Sequence, residues 1–395
     1  MTRNVDELRG ATRLAVEATR GITDLVEEMH LNIGGGPALL GRPTEGATRL
    51  FSGLVYRSIR GVTEVVGAGL DLALSKLTPL VEDGKIGPER EAVLAALNGV
   101  LGDYLKETNN PLAIEMQLRQ NGERLTLERA ALREKLPQAG GKLLLLVHGS
   151  AMGDRQWLRL GHDHGAALAR ELGYTPVYLY YNSGLHISET GRAFAGLLEQ
   201  LVAAWPVPVE ELTIVGHSMG GLVARSACHV GELEGQSWRG KLRKLVCLGS
   251  PHHGAHLERA GNWVDMLLGA TRYSAPLARL GKIRSAGVTD LRFGNVLDED
   301  WRGRDRFAFG SDARTPLPLP SGVACYAIAA TTSPKLKERL PGDGLVTVAS
   351  ALGRHRDPQR TLAFPESHQF IGLGMRHLDL LSRAEIYATL RGWLA

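Results

Sequence analysis

The chain has 395 residues, 44% hydrophobic and 22% charged, which is enough to bury the core of one large α/β domain with a smaller appendage. Forty-six basic residues against 42 acidic ones leave a formal charge of +4; the signs are interspersed, so the electrostatic case for a nucleic-acid partner is missing. The N-terminus MTRNVDELRG has acids and no apolar core, and clean apolar runs such as LLLLV at 143–147 are only strand-sized, which argues against a secretory signal and a bilayer-spanning helix. Cys228, Cys247 and Cys325 lie far apart in apolar stretches without metal-ligand spacing, so buried reduced thiols and a cytoplasmic location are expected.

Residues 1–110 read as a helical region. An apolar stripe at helical spacing runs through Val5, Leu8, Ala15, Ile22, Val26 and Met29, and a stronger one through residues 50–77. The second offers either a helix-packing face or a peripheral contact with a membrane or other hydrophobic surface. A third stripe starts at Pro88 and runs through Val93, Leu97, Val100, Leu101 and Tyr104, ending near NNP at 109–111.

The period then changes. In residues 113–127 apolar and polar positions alternate on both sides of Asn121-Gly122, the signature of a β-hairpin. Strand-like runs follow at 142–147, 175–181, 212–215, 244–248, 322–329 and 360–364, with helical patterns between several of them, such as 188–204. Such alternation predicts a mostly parallel sheet covered on both faces, over residues 111–395. Ser382 and Glu385 have capping-box spacing ahead of a final helix with Ile386, Leu390, Trp393 and Leu394 on one face. Residues 255–321 interrupt the rhythm and read as a lid or cap insertion, where Trp263, Leu267 and Leu268 line either an acyl pocket or an ordinary helical core face.

The stretch LTIVGHSMGGLVARSA, residues 212–227, puts G-x-S-x-G between a strand and a helix. That context predicts a nucleophile elbow, with Ser218 on a strained turn and the Met219 amide aimed at a developing oxyanion. A serine hydroxyl needs a base and the base an orienting acid, in chain order Ser, acid, His. Asp343, in PGDGLV, is the expected acid, ahead of Glu366 and Asp379. Two histidines follow the last expected strand, His368 and His377, and His377 is preferred as base. The loop LVHGSAMG after the first parallel strand makes the Ser150 amide the second expected oxyanion donor. His252, His253 and His256 in SPHHGAH, and HDH at 162–164, are histidine-rich but lack metal-binding helix geometry, so neither metal nor cofactor is expected.

LLVHGS, GHSMGG, LGSPHHGA, GDGLV and MRHLDLL, in this order, resemble the α/β-hydrolase superfamily, and most its bacterial serine esterase and lipase branch, with likeness to GPI-inositol-deacylase-like hydrolases. The resemblance covers roughly residues 112–395. It implies the α/β-hydrolase fold, with Ser218 as nucleophile, Asp343 as acid, His377 as base, and Met219 and Ser150 as oxyanion donors. The expected activity is hydrolysis of a small-molecule or lipid-like acyl ester through an acyl-enzyme. Acyl transfer or thioester hydrolysis by the same triad stays open, as does a surface-interaction protein carrying a secondary hydrolase domain. Oligomeric state is not specified by these motifs.

Overall fold

The computed structural model describes residues 88–255, 285–304, 306, 312–338 and 340–395. The helical stripes of 5–29 and 50–77, together with His256, Trp263, Leu267 and Leu268, lie outside the described residues. The chain divides into two compact units, one of residues 1–93 and 268–282, the other of residues 94–267 and 283–395. The division at residue 93 falls inside the helix that starts at Pro88, and the account below concerns that helix and the second unit.

Helix α1 (Pro88–Glu107) is followed by β1 (Gln117–Gln120) and β2 (Glu123–Arg124), then α2 (Arg129–Lys135) and β3 (Lys142–Val147). Next come α3 (His164–Leu172), β4 (Thr175–Tyr180), α4 (Ile187–Ala204), β5 (Glu211–His217), α5 (Met219–Leu233) and β6 (Leu242–Leu248). The chain ends with α6 (Ala286–Asp290), β7 (Ala324–Thr331), α7 (Val348–Ala351), β8 (Gln369–Leu373) and α8 (Ala384–Leu394). The strands form one sheet in the order β2-β1-β4-β3-β5-β6-β7-β8. Strands β3 to β8 run parallel, whereas β1 is antiparallel to both β2 and β4. The expected hairpin is present but shorter than 113–127, and it turns through Asn121 and Gly122 with φ of 53° and 76°, the two positive values that a type I′ turn needs.

The central strands are apolar without interruption because both faces of the sheet are covered. Leu143 to Val147 are all fully buried. By the period of two, Leu144 and Leu146 point into one core layer with Val215, Val246 and Ile328, where Leu168 of α3 and Ile386, Leu390 and Leu394 of α8 pack. The opposite face is covered by α4 and α5, which pack against each other. This sheet, with the elbow described below, is the α/β-hydrolase fold.

Two expectations fail locally. Residues 360–364 do not form a strand; the last strand is β8, at 369–373. Leu362 and Phe364 are buried and their neighbours exposed, so the alternation was real, but Pro358 and Pro365 flank the segment and it pairs with no strand. His368 therefore precedes the last strand instead of following it. The Ser382–Glu385 capping box is also not formed: Arg383 is the N-cap of α8 and makes no side-chain cap bond. Ser382 instead closes a 3-10 turn over His377–Leu381.

Candidate active site

Parallel strands bring the chain out at one edge of the sheet, and the loops after β3, β5, β6, β7 and β8 meet there. The loop after β5 is the sharpest. Ser218 has φ 55° and ψ −122°, an uncommon conformation for a residue with a Cβ. Its N–H is held by the Leu248 carbonyl at 2.8 Å. Two glycines permit the turn by absence of volume. A Cβ on Gly216 would lie 2.5 Å from the Gly221 nitrogen, and one on Gly220 would lie 2.2 Å from the Val147 carbonyl oxygen. Helix α5 consequently starts hard against the end of β3, and Met219 is its first residue.

Asp343 and His377 are brought together from different loops. Asp343 follows β7, and its Oδ1 accepts from the backbone N–H groups of Leu345 at 2.9 Å and Val346 at 2.8 Å. Its Oδ2 lies 2.7 Å from His377 Nδ1, and its carbonyl accepts from the His377 N–H at 3.1 Å. Both side chains are buried, at 2% and 1% exposure for histidine and aspartate. A carboxylate satisfied in this way has one orientation open to it, and it fixes Nδ1 as the protonated nitrogen and leaves Nε2 with its lone pair. His377 Nε2 and Ser218 Oγ are both buried without a hydrogen-bond partner. His377 lies close to the elbow: a Cβ on Gly249 would fall 3.1 Å from its ring, and Gly249 directly follows the Leu248 that holds the Ser218 N–H.

The other expected positions separate clearly. Ser150 follows β3 and is buried with its Oγ unpartnered, and the residue before it, Gly149, has space for a Cβ only 3.0 Å from Ser218 Cβ. Met219, as the first residue of α5, has an N–H that no intrahelical carbonyl can reach. His368 sits at the opposite end of the sheet, its Nδ1 3.0 Å from the Cys325 carbonyl and its ring 4.1 Å from that of Tyr326. Glu366 is exposed, and Asp379 accepts from the Arg376 N–H at 2.8 Å; neither pairs with His377. The HDH segment is structural: Asp163 caps α3 through the Ala166 N–H and accepts from Tyr178 Oη, and His164 reaches the Leu380 carbonyl. Among the described residues, no three histidine, cysteine or acidic side chains gather as a metal-holding group.

Several supporting residues escaped the sequence reading. His148 stacks on Tyr181 with ring centroids 4.2 Å apart, and Tyr181 Oη donates to the His148 carbonyl at 2.8 Å. Ser183 Oγ accepts from the Ala151 N–H at 2.9 Å. Together they hold the Ser150 loop by its backbone. Burial, opposed by the Gly149 contact, lowers His148 to about 4, and burial lowers His217 well below 6.5. Both imidazoles are thus neutral, and His217 packs 4.7 Å from the His377 ring. The signal available beforehand was YYNSG, residues 180–184, polar groups just past a buried strand.

Comparison with known proteins places these residues in context. The family model described as Domain of unknown function (DUF7379) matches residues 115–291, a span that includes Ser150 and Ser218 and ends before Asp343 and His377. No curated protein matches the chain. Among solved structures, a Bacillus licheniformis lipase in its mature form is similar at 14% identity and a TM-score of 0.43, with 71% of this chain and 98% of that one covered. A thioesterase from the prodiginine pathway of Streptomyces coelicolor has 16% identity and a TM-score of 0.35, covering 65% and 91%. A Pyrococcus furiosus esterase has 14% identity and a TM-score of 0.35, covering 65% and 83%. These likenesses are distant, and no residue assignment rests on them.

Proposed function

We propose that the protein is a serine carboxylic-ester hydrolase, with Ser218 as nucleophile, His377 as general base and acid, and Asp343 as the group that orients it. The observation that carries this reading is the Asp343 Oδ2 to His377 Nδ1 contact of 2.7 Å, with His377 Nε2 and Ser218 Oγ both unpartnered and Ser218 on a strained elbow. A buried hydroxyl and a buried imidazole nitrogen left unsatisfied are costly in a folded protein. They are accounted for if each awaits the reacting centre.

In this mechanism Ser218 Oγ attacks the ester carbonyl as its proton passes to His377 Nε2. The carbonyl oxygen becomes an oxyanion, and the amides of Met219 and Ser150 donate to it. Each such donor is worth about 3 kcal/mol in the transition state. The carbon to alkoxy-oxygen bond then breaks, the alcohol takes the proton from His377, and Ser218 keeps the acyl group. Water, deprotonated by the same nitrogen, releases the acid and restores the serine. The Asp343 carboxylate stabilises the imidazolium throughout and stays ionised. No step calls for a metal or an organic cofactor.

The three free, buried thiols support a reducing, cytoplasmic setting. The likeness to GPI-inositol-deacylase-like hydrolases rests on the sequence motifs alone. Turnover of p-nitrophenyl acetate and longer acyl esters by the intact protein tests the proposal. Ser218→Ala is expected to lower kcat by at least ~10⁴-fold, and retention of most activity in that variant would sink it. Product analysis in the presence of a competing alcohol separates hydrolysis from acyl transfer.

A further inference from the structure

Helix α1 precedes the first strand and supplies none of the motifs, yet it carries two glycines three positions apart, Gly99 and Gly102. Each costs a helix about 1 kcal/mol relative to alanine, so each needs a reason in what it touches. A Cβ on Gly99 would lie 2.6 Å from Ala151 Cβ and 2.7 Å from Ala151 Cα. Ala151 directly follows Ser150 and has φ 56°, a conformation uncommon for a residue with a side chain. Close to one helical turn on, a Cβ on Gly102 would fall on Asn182 Oδ1, and the Gly102 carbonyl accepts from Asn182 Nδ2 at 2.8 Å. A Cβ on Gly184 would lie 2.2 Å from the Asn98 carbonyl oxygen. Residues 98–103 of α1 therefore bear on both the loop after β3 and the loop after β4, all within one compact unit.

Those two loops hold the peptide that carries the Ser150 N–H. On one side of it, the His148 carbonyl accepts from Tyr181 Oη at 2.8 Å; on the other, the Ala151 N–H donates to Ser183 Oγ at 2.9 Å. The Gly149 carbonyl, in the same peptide as the Ser150 N–H, accepts from His148 Nδ1 at 2.8 Å. Nε2 of that neutral ring is left to accept from the Tyr181 N–H at 3.4 Å. In a trans peptide the N–H points away from the carbonyl, so the Ser150 N–H is turned away from the His148 ring. Ser183 is itself fixed between Asn182 and Gly184, the two residues that lie against α1, and the Gly184 N–H donates to Asn182 Oδ1 at 3.0 Å. Helix α1 is anchored in turn: Ser285 Oγ donates to the Gly99 carbonyl at 2.7 Å, and Asp103 Oδ2 accepts from the Ala286 N–H at 2.9 Å. With no Cβ at Gly99, the helix backbone bears directly on Ala151.

We infer, resting on the ester reading above, that Gly99 is a positioning residue for the oxyanion donor: α1 is the wall against which the Ser150 loop is set, and the absence of a side chain at 99 fixes where the Ser150 amide stands. A packing role alone would serve stability and leave the chemistry of the site untouched. A positioning role is more exacting, because an error of about 1 Å in a group that meets the transition state costs on the order of 10²-fold in rate. A methyl at 99 forces such a shift. Carbon atoms of separate residues attract best at roughly 3.5 to 4.0 Å, whereas the two Ala151 carbons would stand at 2.6 and 2.7 Å.

Kinetics of the full chain with p-nitrophenyl acetate and with its thionoester, in which C=S replaces C=O, test this role. Sulfur is the weaker hydrogen-bond acceptor, so well-placed donors favour the oxygen ester and a displaced donor erodes that preference. Gly99→Ala is expected to lower kcat for the oxygen ester ~10²-fold with KM within a few-fold of wild type. It is also expected to lower the oxygen-to-sulfur ratio of kcat/KM at least ~fivefold. Gly231→Ala is the control: its Cβ would lie 2.6 Å from Trp238, near the far end of α5, and it is expected to lower the melting temperature while the ratio stays at wild type. Asn182→Ala cuts the Gly102 contact without adding volume; it is expected to lower the ratio as well, and it decides the matter if Gly99→Ala does not fold. A wild-type ratio in folded Gly99→Ala or, where that variant does not fold, in Asn182→Ala would overturn the proposal, as would an equal fall of the ratio in Gly231→Ala. Turnover retained in Ser218→Ala would instead remove the ester reading and with it the role of α1, so the two failures are told apart.

Discussion

Among the described residues, two aspartate–histidine pairs share the same contact, the first with both side chains buried and the second with a buried aspartate and a partly exposed histidine. His377 Nδ1 meets Asp343 Oδ2 at 2.7 Å, and His186 Nδ1 meets Asp290 Oδ2 at 3.0 Å. In both, further donors engage the carboxylate: Leu345 and Val346 N–H at Asp343, and Ile187 N–H and Asn295 Nδ2 at Asp290. The surroundings differ. His186 precedes α4 and lies flat on Trp301, with ring centroids 3.7 Å apart, and the nearby Ser188 hydroxyl accepts from Trp301 Nε1 at 2.9 Å. His377 instead has a buried Nε2 with no partner, beside an elbow whose serine hydroxyl is equally unpartnered. A histidine and an aspartate in contact are therefore a joint between segments unless a nucleophile and an open nitrogen are left beside them.

That contrast can be broken by exchanging one oxygen for an amide at each pair. Asp343→Asn is expected to lower kcat for an aryl ester by about 10⁴-fold, because the amide can favour the wrong imidazole tautomer, with the melting temperature the lesser change. Asp290→Asn is expected to do the reverse: a loss of about 3 kcal/mol in denaturant unfolding, typical of a broken buried pair, with kcat within a few-fold of wild type. A large kcat loss in Asp290→Asn would remove the distinction between the pairs.

A second test uses pH. Burial, as the largest effect, lowers both His148 and His164 from 6.5 to about 4. Between those values the unfolded chain binds more protons than the folded one, so stability rises with pH across that window and is lost as pH falls from 6.5 to 4. The two residues contribute up to roughly 3 kcal/mol each at neutral pH. Unfolding midpoints that stay level from pH 6.5 to 4.5 would reject this account of the Ser150 loop and the α3 start. The smallest effect is expected at Ser382→Ala, within about 0.5 kcal/mol of wild type, because the capping box that its spacing suggests is absent.

Much of the candidate site was legible because its constraints are local. Gly216, Ser218 and Gly220 are neighbours in the chain, and the need for a tight turn between a strand and a helix is written in those few residues. Asp343 between two glycines was readable for the same reason. The supporting contacts were not: His148 lies in the Ser150 loop itself, but Tyr181 and Ser183 reach that loop from the loop after β4, and the polar run YYNSG does not encode what they meet. Leu362 and Phe364 mark the other limit. Their alternation reports burial correctly, yet a strand also needs a neighbouring ladder, and β8 holds that place at 369–373.

By itself the sequence determined the alternating α/β plan, the uninterrupted apolar core strands and the elbow, since each follows from the period of apolar residues or from glycine spacing over a short stretch. The tertiary structure decided which histidine meets Asp343. His368 and His377 are nine positions apart in the chain, but parallel β8 runs between them and carries them to opposite ends of the sheet. It also decided which donors and acceptors stay unpaired, as at His377 Nε2. Pairing is a matter of distance between segments far apart in sequence, and only the packed chain fixes that distance.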